Sequence, residues 1–179
     1  MDFQTETLGK SEEISALFAE TFSASEGADE GKVIGDLVTN LIKTTGKEDL
    51  YVFSVRDHSG LVGSVLFSRI SYAQDDRQVF ILSPAAVRPD RKKQGIGQKL
   101  MNFALNKLRE QRIDVVVTYG DPNYYSKVGF QQITVEIAKP PLKLSQPHGW
   151  LGQSLFQEKL EPLTGSSSCV SALNKPELW

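Results

Sequence analysis

The sequence predicts an α/β domain, and three features carry that reading. Helical spacing organises the N-terminal part, two-residue alternation takes over after Gly46, and a strand, a helix and a second strand follow one another between residues 78 and 119. The chain's 179 residues fit one domain of roughly 100–200 residues. With 40% hydrophobic and 23% charged residues, the composition excludes collagen-like, coiled-coil and largely disordered classes.

Phe3 to Leu8 reads as a short opening strand ended by Gly9. Ser11 is a plausible N-cap with Glu12 and Glu13 in the first turn, and Ile14, Leu17, Phe18 and Phe22 recur at helical spacing, which predicts a helix over 12–24. After the polar, glycine-containing stretch 23–31, Val33, Ile34, Leu37, Val38, Leu41 and Ile42 predict a second amphipathic helix stopped by Gly46. Tyr51, Phe53 and Val55 alternate with Val52, Ser54 and Arg56; Asp57-His58-Ser59-Gly60 supplies turn chemistry before Val62, Val65 and Phe67, so these strands form a hairpin.

Gln78 to Val87 is nearly all apolar but contains Ser83-Pro84; proline has no N–H to donate, so a bulge is expected there. Ile96, Leu100, Phe103, Ala104 and Leu108 form the clearest helical stripe. Asp114 to Tyr119 is β-branched and apolar on both faces, as a strand beside a parallel neighbour would be. Gly120-Asp121-Pro122 starts a short helix reaching about Val128, and Phe130 to Ile137 returns as a strand. The tail from Lys139, punctuated by five prolines, is expected to be ordered but irregular, with one strand over 154–160.

Twenty Lys+Arg against 22 Asp+Glu give a net charge of −2, which argues against a general nucleic-acid binder. The start Met1-Asp2-Phe3 lacks a basic, then apolar, secretory pattern, and no apolar run approaches the ~18 residues of a membrane span, so a cytoplasmic protein without a membrane partner is expected. The single cysteine, Cys169, can form neither an internal disulfide nor a metal site alone, and no metal is expected.

The chemistry concentrates in Val87-Arg88-Pro89-Asp90-Arg91-Lys92-Lys93-Gln94-Gly95-Ile96-Gly97-Gln98-Lys99-Leu100, which joins the apolar strand to the start of the amphipathic helix. Two glycines let backbone turn tightly near a ligand, while unpaired helix N–H groups and the positive dipole end favour an anion. Arg88, Arg91, Lys92, Lys93 and Lys99, opposed only by Asp90, add positive charge. A phosphate-bearing ligand follows. It is not a dinucleotide in a Rossmann site, because Leu100 stands where a third small residue is required, and no P-loop Gly-Lys-Ser/Thr is present.

This segment resembles motif A of the GNAT-type N-acetyltransferases, Q/R-x-x-G-x-G/A, and Leu82 to Pro89 is similar to the bulged strand that precedes it. Tyr124-Tyr125-Ser126-Lys127-Val128-Gly129-Phe130 resembles the family's motif B, and Gly120 to Tyr125 is especially similar to a bacterial subgroup of predicted N-acetyltransferases. The resemblance covers about residues 1–137. It implies a mixed, mostly antiparallel central sheet with a splayed parallel strand pair at its centre and helices on both faces. It also implies one GNAT-like domain over 1–179, with residues 1–137 as core and 138–179 as a C-terminal extension.

The resemblance further implies acetyl-CoA as cosubstrate and an amine of a small molecule or peptide as acceptor, attacking the thioester directly. Ala85, Ala86 and Val87 would offer backbone N–H groups to the pantetheine and carbonyl; Lys92, Lys93, Gln94, Gly95, Ile96, Gly97 and Gln98 would hold the pyrophosphate, with Asn123 and Tyr125 completing the coenzyme contacts. Lys92 departs from the family's Gln or Arg and would act as a point charge without a planar fork. Tyr125 would be the acid toward the departing thiolate, with Tyr124 as alternative. Glu26, Asp29 and Glu30, between the first two helices, are candidate proton acceptors; His58 and His148 are read as structural or exposed. Trp150 and Trp179 read as packing anchors, although Trp150 beside His148 could line an acceptor pocket. A non-catalytic acyl-CoA-binding or sensing domain is the alternative function, and the apolar tail could close a homodimer interface.

Overall fold

The computed structural model describes residues 1–7, 9 and 11–179. The elements in chain order are β1 (Asp2–Thr5), α1 (Ser11–Glu26), α2 (Ala28–Thr44), β2 (Leu50–Asp57), β3 (Gly60–Tyr72), β4 (Asp75–Val87), α3 (Ile96–Glu110), β5 (Val115–Tyr119), α4 (Pro122–Tyr125), β6 (Gln131–Gln132), β7 (Trp150–Ser154) and β8 (Ser167–Cys169). The strands run in the order β1-β2-β3-β4-β5-β7-β6, with β8 paired to β3. β4 and β5 are parallel, at the centre of that order, and β5–β7, β6–β7, β1–β2 and β3–β8 are antiparallel. This is the mixed, mostly antiparallel sheet the resemblance implied. The chain divides into two compact units, Met1–Phe67 with Pro84–Ala104, and Ser68–Ser83 with Leu105–Trp179.

In the first unit, Ile14, Leu17 and Phe18 of α1 and Leu37, Val38 and Leu41 of α2 are buried with Val52, Phe53 and Val55 of β2. The Phe53 ring meets that of Phe103 edge-on, with centroids 6.1 Å apart. The two helices approach closely because Gly31 and Gly35 present no side chain: a Cβ on Gly31 would lie 2.5 Å from the Ala19 carbonyl oxygen, and one on Gly35 would lie 3.0 Å from the Ala19 Cβ. Opposite them, the Thr39 and Ser15 hydroxyls are 2.8 Å apart. β1 is fixed to β2 by pairing from Asp2↔Arg56 to Thr5↔Phe53. Beyond it the Glu6 carboxylate, buried, accepts from Ser54, from Gln4 at 2.8 Å and from Arg56 at 3.1 Å. Burial raises the Glu6 pKa, but these hydrogen bonds and the guanidinium outweigh it and hold the carboxyl below its usual value. Arg56 also reaches Glu13 at 2.8 Å, tying the first turn of α1 to β2.

Two expectations here change. The 23–31 stretch is not a loop: α1 continues to Glu26, and α2 begins at Ala28 after Gly27, whose φ of 102° breaks the helix. Glu26, Asp29 and Glu30 therefore sit at helix ends, where acidic residues in the first turn of α2 favour the dipole. The opening strand ends at Thr5, and its expected end at Leu8 lies outside the described residues.

In the second unit, Val79↔Val115 through Leu82↔Thr118 form the parallel ladder. Val115 to Thr118 are buried on both faces, as their run of β-branched residues requires. The strand expected over 130–137 shortens to Gln131–Gln132, because the Thr134 carbonyl accepts the N–H groups of Ile137 and Ala138 and curls the chain into a turn. The tail holds two strands rather than one, Trp150–Ser154 and Ser167–Cys169, neither at 154–160: Trp150 pairs with Tyr119, and the Ser154 hydroxyl ends the first strand by accepting the N–H groups of Phe156 and Gln157 at 3.4 and 3.0 Å. The rest of the tail is anchored by side chains. Arg77 donates to the Glu161 and Pro162 carbonyls, Asp75 accepts from Thr164 N–H, and Trp150 Nε1 donates to the Ala138 carbonyl.

Replacing Gly31 by Ala sets two effects against each other. Helix propensity gains up to about 1 kcal/mol, while forcing a methyl against backbone costs about 1–3 kcal/mol. Because the neighbouring atoms are the Ala19 carbonyl oxygen at 2.5 Å and the Ser23 nitrogen at 2.8 Å, the second wins. Gly31→Ala should lower the melting temperature measured by circular dichroism by roughly 2–8 °C; an unchanged or higher value would refute backbone contact between the helices.

Candidate functional site

The basic segment lies entirely in the first unit. β4 stays extended to Val87, and Arg88 N–H donates to the Val62 carbonyl at 2.9 Å, keeping this end of the strand on β3. Alternation along an extended strand then turns the N–H groups of Ala85 and Val87 away from β3. The register with β5 has ended by this point, at Leu82↔Thr118. β4 is continuous through Ser83-Pro84, but its alternation slips there: Gln78 and Leu82 turn their carbonyls to β5, whereas Arg88, an even number of residues on, turns its N–H to β3, as the expected bulge requires.

Pro89–Arg91 form one 3₁₀ turn, Lys92 is extended, and Lys93 and Gly95 are left-handed, with φ of 63° and 73°. For glycine this is free; for Lys93 it costs about 1–2 kcal/mol, the kind of strain that collects where backbone is shaped for a ligand. Lys92, Lys93, Gln94 and Gly95 are exposed. Ile96, 2% exposed, anchors the first turn of α3, whose Lys99 N–H closes on the Gly95 carbonyl at 3.1 Å. The N–H groups of Ile96, Gly97 and Gln98 precede that closed turn and have no carbonyl within the helix.

The five basic residues do not act alike. Arg88 chelates Asp90 at 2.7 and 3.0 Å, and Arg91 pairs with Asp57 at 3.0 Å, so both guanidinium charges are balanced by carboxylates. Lys92, Lys93 and Lys99 have no ion pair among the described residues. What remains is an exposed, left-handed turn at a helix start with three uncompensated ammonium groups, chemically an anion site.

The aromatic motif lies in the second unit. Asp121 caps α4 by accepting the Asn123 N–H at 2.9 Å, and its carbonyl accepts from Tyr124 and Tyr125 at 3.1 Å each. Asn123 itself is exposed. The two tyrosines differ. Tyr124 is 37% exposed. The Tyr125 ring packs over Gly120 and edge-on against Phe130 at 5.7 Å. Burial pushes the Tyr125 phenol up to about 12, against an opposing interaction with the Thr118 side chain. Thr118 is fully buried and donates to the Leu82 carbonyl at 2.9 Å.

His58 is exposed in the β2–β3 turn. His148 is exposed in the turn before β7, and with the fully buried Trp150 it lines a cavity of about 510 Å³ that also includes Ile133, Val135 and Glu136. The Trp179 ring packs against that of Trp150 at a tilt of 58°, with centroids 6.0 Å apart. Glu26 and Asp29 are exposed. Among the described residues there is no metal-binding cluster of His, Cys, Asp or Glu, and no helix is long and apolar enough to cross a membrane. The residues the sequence did not single out are Asp57, Ser59 and Thr118; only the turn composition around Asp57 carries any local signal.

Comparison with known proteins agrees with this geometry. A family model described as an acetyltransferase (GNAT) domain matches residues 47–132. The chain is 28% identical over 140 residues to the uncharacterized N-acetyltransferase YjhQ of Escherichia coli, covering 75% of this chain and 77% of that one. It is 31% identical over 118 residues to the uncharacterized N-acetyltransferase YhbS of Escherichia coli, covering 66% of each. In structure it is similar to a GNAT family N-acetyltransferase, YhbS of Escherichia coli, in complex with CoA, with a TM-score of 0.75, 23% identity and coverage of 97% and 92%. A GNAT family acetyltransferase of Brucella melitensis in complex with acetyl-CoA gives a TM-score of 0.73, 20% identity and 97% coverage of both chains. With motif, fold and relatives in agreement, the chain belongs to the GNAT acetyltransferase family, whose cosubstrate is acetyl-CoA.

Proposed function

We propose that the protein binds acetyl-CoA and transfers its acetyl group to a primary amine of a small molecule or peptide. The observation that carries this reading is the anion site at the start of α3: left-handed Lys93 and Gly95, helix N–H groups without helical acceptors, and lysines without carboxylate partners. These residues fit a pyrophosphate, with Ile96 to Gln98 donating N–H bonds and Lys92 and Lys93 supplying charge. The outward N–H groups of Ala85 and Val87 fit the amide and carbonyl oxygens of a pantetheine arm lying along β4. Acetyl-CoA supplies a thioester carbonyl, and the amine nitrogen bonds to that carbon as the carbon–sulfur bond breaks.

Tyr125 takes the role of donor to the departing sulfur, because its phenol, held at about 12, keeps its proton at neutral pH. Three measurements test the reading. Calorimetric titration with CoA should give saturable binding to the wild type and none to Gly97→Trp, whose indole fills the first turn of α3; failure of the wild type to bind would end the proposal. With an amine substrate found by screening for thiol release, Tyr125→Phe should lower kcat by about 10²-fold with CoA affinity retained. Gly120→Ala, whose Cβ would stand 2.7 Å from the Tyr125 ring, should lower kcat by about tenfold. Equal rates in Tyr125→Phe would remove the phenol from the mechanism, and CoA binding without turnover of any amine would favour a sensing domain.

The pH profile gives a separate check. A phenol raised to about 12 stays protonated well past its ordinary value of about 10. The wild-type rate should therefore rise as the amine loses its proton and show no descending limb below about pH 10. A downturn near pH 9 that Tyr125→Phe abolishes would contradict the buried phenol.

A further inference from the structure

The turn between β2 and β3 holds the anion loop through a closed set of polar contacts. Asp57 Oδ1 accepts from the Ser59 N–H at 2.8 Å and from its hydroxyl at 2.6 Å, while Oδ2 forms an ion pair with Arg91 Nη2 at 3.0 Å. The Ser59 oxygen, its one proton given to Asp57, accepts Arg88 Nη1 at 3.1 Å and Arg91 Nη2 at 3.3 Å. Every lone pair and proton of that hydroxyl has a partner. The carboxylate is only 8% exposed and Arg91 23%, so this pair is better shielded than an ordinary surface ion pair. Arg91 ends the 3₁₀ turn immediately before Lys92 and the left-handed Lys93.

We infer that Asp57, through Arg91 and with Ser59, is a positioning residue for the phosphate-binding loop, fixing the backbone angle at which Lys92 and Lys93 meet the coenzyme. The inference rests on the acetyl-CoA reading above. It differs from a direct role for Arg91 in the sign of one substitution. Asp57 is an anion beside a site for a polyanion, so if only charge mattered, Asp57→Asn would tighten CoA binding by removing repulsion and releasing Arg91 toward phosphate. If Asp57 sets geometry, the same change weakens binding although the local charge becomes more positive.

Calorimetric titration of CoA into the wild type, Asp57→Asn, Arg91→Gln and the double variant decides between them. The expected result is a loss of about tenfold in each single variant and a similar loss in the double variant, because both act on one contact. Ser59→Ala, which keeps the carboxylate and sits in an exposed turn, should lose roughly threefold and serves if Asp57→Asn folds poorly by thermal unfolding. Asp57→Glu, which restores the charge, should recover part of the affinity. Unchanged or tighter binding by Asp57→Asn with a normal melting temperature, or losses that add in the double variant, would overturn the positioning role while leaving the acetyl-CoA reading intact. Absence of CoA binding by the wild type would instead fail the acetyl-CoA reading itself.

Discussion

Pro84 has no amide hydrogen, and β4 has to satisfy that fact in the middle of its length. Before it, Val79 to Leu82 run parallel to β5, and the ladder closes where the Thr118 hydroxyl donates to the Leu82 carbonyl at 2.9 Å. After it, β4 remains extended to Val87 and is held to β3 by Arg88 N–H on the Val62 carbonyl. A strand that loses pairing on one side keeps its outward N–H groups for something other than the sheet. Here that stretch feeds directly into the Pro89–Arg91 turn and α3, which together carry the proposed anion site.

The electrostatics of that site depend on distance more than on total charge. A net charge of −2 spread over the surface is screened within about 8–10 Å in physiological salt. The five basic residues from Arg88 to Lys99 are local, and the structure divides them into two tasks. The arginines have planar forks suited to chelating carboxylates and are engaged by Asp57 and Asp90. The lysines, compact point charges on flexible stems, stay exposed beside the free helix N–H groups. The departure of Lys92 from the Gln or Arg of the motif it resembles is consistent with this division: an exposed ammonium at the loop and carboxylate-paired guanidiniums beside it.

The proposed anion site can be read from sequence because its determinants are contiguous. Proline in a strand, glycines before a helix and a run of bases each act over a few residues, as does the Asp121 cap that begins α4. The misplaced elements fail for equally local reasons. Gly27 alone separates α1 from α2, but polar residues at helix ends look like a loop because they carry no apolar stripe. Ile133, Val135 and Ile137 alternate like a strand, yet the Thr134 carbonyl closes a turn through them. The Asp57–Arg91 pair was illegible for a different reason: it joins residues far apart in sequence, brought together only when the β2–β3 turn and the end of β4 meet on β3.

Proton inventory sets the remaining limit on mechanism. A thiol's ordinary pKa is about 8.5, whereas burial pushes the Tyr125 phenol up to about 12, so complete transfer from phenol to a free thiolate runs uphill. Transfer becomes favourable only while the sulfur is still partly bonded to carbon and before its charge is relieved, or when a proton from the attacking amine replaces the one donated. In the proposed reaction the first would give Tyr125 the character of a hydrogen-bond donor to developing charge. The second couples departure of the thiol to deprotonation of the amine. In the proposed reaction a carboxylate base would then be needed less than a path for one proton.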